Sequence, residues 1–251
     1  MYGFCSLPLC PMRAEGSDRS EQVNQLLFGE RFEVLERGEK WSRVKTTEEG
    51  YEGWIDNKQY TVLTSEEYED LGRWEGVVEE PLMRIGDETG GLLVPMGSRL
   101  PERLGEHRAG AAESALKLLH APYLWGGKSL MGIDCSGLVQ VVYRVAGVNL
   151  PRDASQQAVC GEKIESIGEA KAEDLCFFEN AEGRVVHVGI YLGDTRIVHA
   201  SGEVRIDRID DRGIFNADRG EYSHKLCGIR RLEHGEDCSC GDCGCHHHGE
   251  C

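Results

Sequence analysis

Residues 132–147 read GIDCSGLVQVVYRVAG, a run with an apolar helical pattern and a cysteine near its start. The apolar positions of this run that fall on one helical face are Cys135, Leu138, Val139, Val142 and Ala146. The spacing predicts a helix that begins near Asp134 and stops at Gly147. Cys135 then lies in the first turn, where free backbone N–H groups and the positive end of the helix dipole favour an anion. Such a position lowers the pKa of a thiol, so the sequence predicts a thiolate nucleophile.

Two histidines supply the partners that such a nucleophile needs. His187 and His199 flank two alternating runs that meet at the turn signal Gly193-Asp194. In a hairpin centred on Gly193 the two histidines lie directly opposite each other, with Cβ atoms about 4.5–5.5 Å apart. The opposite, core-facing side is filled by Val188, Ile190 and Leu192, and Gly189 leaves room beside the imidazole. One histidine can accept the thiol proton while the other orients it, which is the arrangement of cysteine hydrolases.

The same residues are also compatible with a metal site or with purely structural roles. Cys135, His187 and His199 could be three ligands of a zinc site with an open fourth position. Cys135 could instead be a small buried hydrophobic residue, and the histidine pair could lie solvated on a surface hairpin. The remaining histidines, His224 among them, have no partner at an informative spacing.

The pattern of runs divides the chain into four segments. Short alternating runs at 22–27, 31–35, 41–45 and 50–55, separated by glycine, predict a small β-barrel. A short acidic helix and a reduced second module of the same kind follow. Next come helices and then strands, which is typical of an α+β domain. The predicted segments are 1–63 (SH3-like barrel), 64–104 (linker and second module), 105–233 (catalytic domain) and 234–251 (tail).

Composition limits the partners of the chain. Lysine and arginine total 28 against 44 acidic residues, which gives a formal net charge of −16. A surface this acidic repels phosphate backbones and anionic lipids, so we expect neither a nucleic acid nor a membrane partner. The N-terminal residues have no basic segment and no apolar run of signal length, and the expected location is the cytoplasm. In that reducing compartment the 11 cysteines are predicted to be thiols, metal ligands or a nucleophile.

The C-terminal tail has its own pattern of soft ligands. Its candidate metal ligands are Cys238, Cys240, Cys243, Cys245, His246, His247, His248 and Cys251. Thiolates and imidazoles at this density can bind Zn²⁺ or Cu⁺. The alternative is a tail whose cysteines have no role. Catalysis by Cys135 and the histidines needs no cofactor.

Several motifs in order resemble the NlpC/P60 papain-like peptidases over roughly residues 105–232. They are PYLWGG at 122–127, GIDCSGL at 132–138, LPRD at 150–153, HVGIY at 187–191 and HASG at 199–202. The resemblance implies a papain-like α+β fold in which Cys135 is the nucleophile, His187 the general base and His199 its orienting partner. The N-terminal motifs SEQV at 20–23, FGE at 28–30 and GWI at 53–55 resemble a bacterial SH3 domain.

Together the two resemblances imply cleavage of the γ-D-glutamyl to diamino acid bond in small murein peptides with a free N-terminal L-Ala. By the same resemblance Tyr123 lies near the oxyanion, Asp134 and Ser136 flank the substrate amine, and Ser155 forms the pocket wall. Glu30 and Tyr60 are the expected contribution of the SH3 domain to the pocket. The alternatives are an amidase of the same superfamily and a catalytically silent peptide-binding module with a metal-buffering tail. The sequence does not indicate the oligomeric state.

Overall fold

The computed structural model describes residues 1–86, 90–105 and 108–232. The chain opens with seven strands, which are β1 (Tyr2–Phe4), β2 (Leu9–Arg13), β3 (Gln22–Leu27), β4 (Arg31–Arg37), β5 (Trp41–Thr46), β6 (Glu52–Asp56) and β7 (Thr61–Leu63). They form one antiparallel sheet in the order β3-β2-β6-β5-β4-β1-β7. Its core includes Met12, Leu26, Phe32, Val44 and Ile55.

The predicted runs correspond to β3, β4, β5 and β6. Alternate residues Ser42, Val44 and Thr46 of β5 are buried while the residues between them are exposed, as expected for a sheet with one solvated face. The first strand, β1, was not predicted because three residues are too few to show an alternation.

A reduced second module follows the first sheet. Its first element is helix α1 (Ser65–Leu71). The N-terminus of this helix is capped by reciprocal hydrogen bonds between Thr64 and Glu67. Four short strands follow, β8 (Gly76–Val77), β9 (Leu82–Ile85), β10 (Leu92–Pro95) and β11 (Arg99–Leu100), paired as β9–β10 and β8–β11. The small core of this module contains Val78, Val94 and Leu100, with Phe28 of the first module packed against it.

Three short helices belong to the C-terminal part of the described chain. They are α2 (Ala111–Leu116), α3 (Cys135–Val145) and α4 (Ala154–Gln157). Helix α2 ends at Leu116, where turns follow and the backbone N–H of His120 donates to the carbonyl of Val204. The longest of the described helices has 11 residues, and none of them combines the length and apolar character that crossing a bilayer requires.

The strands of the C-terminal part are β12 (Lys128–Ser129), β13 (Gly132–Ile133), β14 (Glu162–Ile164), β15 (Leu175–Glu179), β16 (Val185–Gly193), β17 (Arg196–Ser201), β18 (Glu203–Asp210), β19 (Gly213–Asn216) and β20 (Glu221–Arg231). Strands β15 to β20 pair in sequence, and β20 also pairs with β15, which closes a six-stranded barrel. One face of this sheet packs with α2 and α3 in the largest core, while a second core lies on the other face and includes Phe178, Ile197, Ile209 and Ile214.

Candidate active site

The start of α3 is built around the carboxylate of its N-cap residue. Cys135 is the first residue of the helix, and Asp134 precedes it as the N-cap. The Asp134 side chain accepts a hydrogen bond from the backbone N–H of Gly137 at 2.7 Å, which satisfies a free amide of the first turn. At the other end Gly147 has a φ of +90°, a conformation that glycine adopts readily after a helix. The predicted start and stop of this helix are therefore confirmed.

The thiol of Cys135 is buried. Burial first, and then the charge of Asp134, raises the pKa of this thiol to about 11, although backbone hydrogen bonds from Val188 and Ser136 oppose the increase. The predicted lowering of the thiol pKa is therefore wrong, because the effect of burial outweighs that of the backbone N–H groups around the sulfur. A thiolate has to be formed by proton transfer to a base beside it.

The two predicted histidines lie on neighbouring strands with a register that differs from the expected one. Asp194 and Thr195, with φ of 51° and 57°, form the turn between β16 and β17, and the pairing shifts just before it. His199 consequently lies opposite Gly189, and His187 is two residues further along the same face. Such a diagonal pair is still within reach of long side chains.

Gly189 makes this diagonal contact possible. A Cβ atom built at Gly189 would lie 3.0 Å from the Cβ of His199 and 2.8 Å from a methyl carbon of Ile197. The other face of the strand carries Val188 and Ile190, which are buried in the core against α3, with Leu192 packed at its edge. The predicted division of β16 into a histidine face and a core face is confirmed.

The histidines belong to a buried chain of hydrogen bonds. Nε2 of His187 lies 2.9 Å from Nδ1 of His199, and Nε2 of His199 lies 3.0 Å from Oδ2 of Asp207 on β18. Arg205 donates from Nη2 to Oδ1 of Asp207 at 3.0 Å. Because the facing nitrogens of His187 and His199 share one hydrogen bond, they do not point two lone pairs at a common ion. This geometry favours the hydrolase interpretation over the zinc site.

The pKa shifts of His187 and Asp207 determine which of the two carries a charge near neutral pH. Burial, then the neighbouring His199 and His224, lower the pKa of His187 well below its ordinary value. Burial opposes ionisation of Asp207, but hydrogen bonds from His199 and Arg205 outweigh it and lower the pKa of this carboxyl. His187 is therefore neutral and able to accept a proton near pH 7, while Asp207 is an anion.

His224 completes the surroundings of His187. Its ring on β20 stacks on the His187 ring with a centroid distance of 4.2 Å and an interplanar angle of 25°. Burial, and then His199, lowers the pKa of His224 to about 4, so the stacked ring is uncharged at neutral pH. No local spacing in the sequence relates β20 to β16, so His224 could not be predicted as a neighbour of His187.

Asp134 is held by an arginine from the LPRD motif. Arg152 donates from Nη1 and Nη2 to the two carboxylate oxygens of Asp134 at 3.0 and 2.6 Å, and the backbone N–H of Gly126 donates at 2.8 Å. Both side chains are buried, so the pair is a compensated charge inside the protein. The predicted contact of Asp134 with a substrate amine does not fit this arrangement, because the acceptor positions are already used. We assign Asp134 a structural role at the helix start.

The other predicted pocket residues of this domain are placed differently from one another. Tyr123 is partly exposed, and its backbone pairs with Ile133, two residues before Cys135; burial, and then the charge of Cys135, raises its pKa to about 12. Ser136 is buried, and its hydroxyl accepts from Arg152 at 2.9 Å. Ser155 is exposed on α4, and its role as pocket wall stays a prediction.

Glu30 and Tyr60 require a correction. Glu30 is buried and ion-paired with Lys128 at 3.0 Å and with Arg144. Although burial opposes ionisation, these two cations lower the pKa of Glu30 to about 2. Tyr60 is buried in the core of the first sheet, where its hydroxyl bonds Ser42. Both side chains are engaged inside the protein, so we withdraw them as substrate contacts.

Other residues of the first module reach the catalytic part instead. Asn24 accepts from Nε of Arg152 at 2.9 Å, and Gln22 donates to the backbone carbonyl of Trp125 at 3.0 Å. Burial, and then the charge of Asp153 in the LPRD motif, raises the pKa of Tyr51. The only signal in the sequence that could have indicated Tyr51 is its position beside the Gly53-Trp54 motif.

Comparison with known protein families agrees with this geometry. Residues 120–220 match the NlpC/P60 family, and residues 12–59 match the bacterial dipeptidyl-peptidase Sh3 domain. The chain combines an NlpC/P60 domain with a bacterial SH3 domain. The catalytic candidates Cys135, His187 and His199, together with Asp207, all lie within the NlpC/P60 match.

Individual relatives extend the similarity over most of the chain. A gamma-D-glutamyl-L-lysine dipeptidyl-peptidase of Bacillus subtilis (strain 168) is 29% identical over 242 residues, covering 82% of this chain and 80% of the relative. Dipeptidyl-peptidase 6 of Lysinibacillus sphaericus is 39% identical over 108 residues, covering 42% of this chain and 38% of the relative. With an NlpC/P60 domain and relatives of these names, the chain is a cysteine peptidase.

A solved structure supports the same architecture. The crystal structure of an NlpC/P60 family protein from Bacillus cereus ATCC 10987 superimposes with a TM-score of 0.76 at 20% identity, covering 92% of this chain and 99% of that chain. At this identity the match establishes the fold. The predicted papain-like α+β domain preceded by an all-β SH3-like region is confirmed.

The predicted metal ligands of the tail lie outside the described residues. They are Cys238, Cys240, Cys243, Cys245, His246, His247, His248 and Cys251. Binding of Zn²⁺ or Cu⁺ by the tail therefore stays a prediction.

The pH dependence of the site follows from the lowered pKa of His187. As the predicted general base, His187 would have to be neutral to accept the proton of Cys135, and its pKa lies well below the ordinary value of 6.5. We expect kcat/KM to hold its neutral-pH value as the pH falls through 6.5, and to decline only at lower pH. Initial rates between pH 4 and 9, with folding checked by circular dichroism, measure this. A decline centred at or above pH 6.5 would contradict the assignment of His187 as a buried neutral base.

Proposed function

We propose that this chain hydrolyses the bond between γ-D-glutamate and a diamino acid in small murein peptides that carry a free N-terminal L-Ala. The observation that carries the proposal is the junction of the SH3 and NlpC/P60 domains, where Asn24 accepts a hydrogen bond from Nε of Arg152 at 2.9 Å and where burial, and then the charge of Asp153, raises the pKa of Tyr51. The partial burial of Asp153 raises the pKa of its carboxyl, although Arg152 opposes the increase. A cation beside Asp153, such as the ammonium group of the substrate, would stabilise the charged form of this partly buried carboxyl.

The junction also explains why a dipeptide would be released. Gln22 and Asn24 of β3 contact Trp125 and Arg152, so the SH3 domain lies against the start of the catalytic region. A wall in this position limits how many residues can precede the scissile bond. The relatives named as dipeptidyl-peptidases support this reading. Recycling of cytoplasmic murein fragments belongs to the same proposal.

The catalytic steps use groups already in place. His187 accepts the proton of Cys135, and the sulfur attacks the carbonyl carbon of the γ-glutamyl bond. The oxyanion forms beside the backbone N–H groups at the start of α3, with Tyr123 close by. The imidazolium of His187 then protonates the leaving amine, and water hydrolyses the thioester with His187 as base. His199 orients the His187 ring through the hydrogen bond at 2.9 Å.

Mass spectrometry of the products tests the cleavage position. The substrates are the tripeptides L-Ala-γ-D-Glu-L-Lys and L-Ala-γ-D-Glu-meso-diaminopimelate. We expect L-Ala-D-Glu and a free diamino acid from at least one of them. Release of free L-Ala from the same peptides, or cleavage of the α-linked isomer at an equal rate, would contradict the proposal.

A further inference from the structure

Asp207 is a buried carboxylate that lies outside the sequence motifs of the site. It lies on β18 within the barrel, with 4% of its side chain exposed, and His199 is its neighbour at 3.0 Å. Arg205 lies close to both carboxylate oxygens, with Nη2 at 3.0 Å from Oδ1 and Nε at 2.8 Å from Oδ2, the oxygen that His199 also contacts. Arg205 is anchored in turn by Asp218 at 2.7 Å. The carboxylate is thus fixed in direction relative to the His199 ring.

The hydrogen-bond chain determines where each ring proton lies. A carboxylate can only accept, so the bond between His199 and Asp207 requires a proton on Nε2 of His199. With its single proton on Nε2, His199 has a lone pair on Nδ1, which can accept from Nε2 of His187 across 2.9 Å. His187 consequently has its proton on Nε2 and a free lone pair on Nδ1. That nitrogen is the one available for the proton of Cys135.

We propose that Asp207 is a positioning residue of the cysteine peptidase, which keeps His199 in the Nε2–H tautomer and thereby leaves Nδ1 of His187 free to accept the Cys135 proton. The proposal rests on the catalytic roles proposed above for Cys135, His187 and His199. Without Asp207, His199 can equally carry its proton on Nδ1. Nδ1 of His199 would then donate to Nε2 of His187. His187 would carry its own proton on Nδ1 and have no lone pair there to accept the thiol proton.

Asp207 also acts on the charged state of the site. When Cys135 transfers its proton, a positive charge forms on His187 and is shared with His199, directly beside the Asp207 anion. The other titratable or charged groups that face this chain are His224, stacked on His187, and Arg205, which contacts the same carboxylate. A merely structural Asp207 would hold Arg205 but would leave the tautomer of His199 undetermined.

The variant Asp207→Asn tests the proposal, because it keeps the shape of the side chain and removes its charge. We expect kcat to fall roughly 10- to 100-fold, as for partners that orient a functional imidazole, with KM within about twofold of wild type. The matched control is Asp218→Asn, which loses a bond to the same Arg205 but does not contact a histidine. It should keep kcat. An Asp207→Asn protein with wild-type kcat, or an equal loss in Asp218→Asn, would overturn the proposal.

Nitrogen NMR of the full chain labelled with ¹⁵N-histidine gives a readout that needs no substrate. In the wild type at neutral pH we expect His199 protonated at Nε2 and His187 protonated at Nε2. A wild-type spectrum with His199 protonated at Nδ1 would overturn the proposal even if Asp207→Asn failed to fold. Since this measurement involves no murein peptide, failure of the proposed substrate specificity would leave its result unchanged, so the two failures are distinguishable.

Discussion

Cys135→Ala should leave a folded protein that no longer hydrolyses murein tripeptide. Alanine is a good helix former and fits a buried position at the start of α3, so we expect the thermal midpoint to change little. The thiol is the nucleophile of the proposed mechanism, and its removal should lower kcat by about 10⁴-fold or more. Product formation by mass spectrometry, with circular dichroism to confirm folding, measures both quantities.

Cys176→Ala is the matched control for the loss of a buried thiol. Cys176 lies in the core inside the barrel, is also unpaired, and has no part in the proposed mechanism. Its variant should keep most of the activity. His187→Ala should be nearly as inactive as Cys135→Ala, whereas His199→Ala should retain more activity, since orientation contributes less than proton transfer. Equal residual activity in all three variants would remove the assignment of Cys135, His187 and His199.

Local patterns in the sequence predicted those parts of the site that depend on local structure. The helix start at Cys135 follows from apolar spacing and from an N-cap residue, both contained within residues 132–147. The shared face of His187 and His199 follows from strand alternation. The exact register did not follow, because the turn uses Asp194 and Thr195 at positive φ and shifts the pairing by two residues.

Residues that act across distant strands or across domains were beyond these patterns. Asp207 and His224 reach the histidines only because β18 and β20 belong to the same closed barrel. Glu30 was assigned wrongly for the same reason. Its pattern in the SH3 domain indicated a substrate contact, but Lys128 and Arg144 of the NlpC/P60 domain neutralise it inside the interface. Burial of a charge depends on partners that a local motif does not contain.

A free amino end on the substrate should matter strongly. The ammonium of L-Ala would lie at the junction near Tyr51, where Asp153 and the exposed Glu21 provide negative charge. Acetylation removes the positive charge and leaves the half-buried Asp153 without a partner. We expect a loss of about 2–3 kcal/mol, which corresponds to roughly 30- to 150-fold in kcat/KM. The measurement compares L-Ala-γ-D-Glu-diamino acid with its N-acetyl form.

Two substitutions identify the cause of this discrimination. Asp153→Asn removes the charge but preserves the N-cap of α4, because asparagine caps a helix as well as aspartate does. It should lower kcat/KM for the free tripeptide and leave the acetylated one nearly unchanged, and Glu21→Gln should do the same to a smaller extent because Glu21 is exposed. Asp134→Asn is unsuitable, since it would leave Arg152 buried without its ion-pair partner.

If wild type cleaved the free and acetylated tripeptides with comparable kcat/KM, the requirement for a free amino end would be wrong. If Asp153→Asn kept the full preference, Asp153 would not be its source.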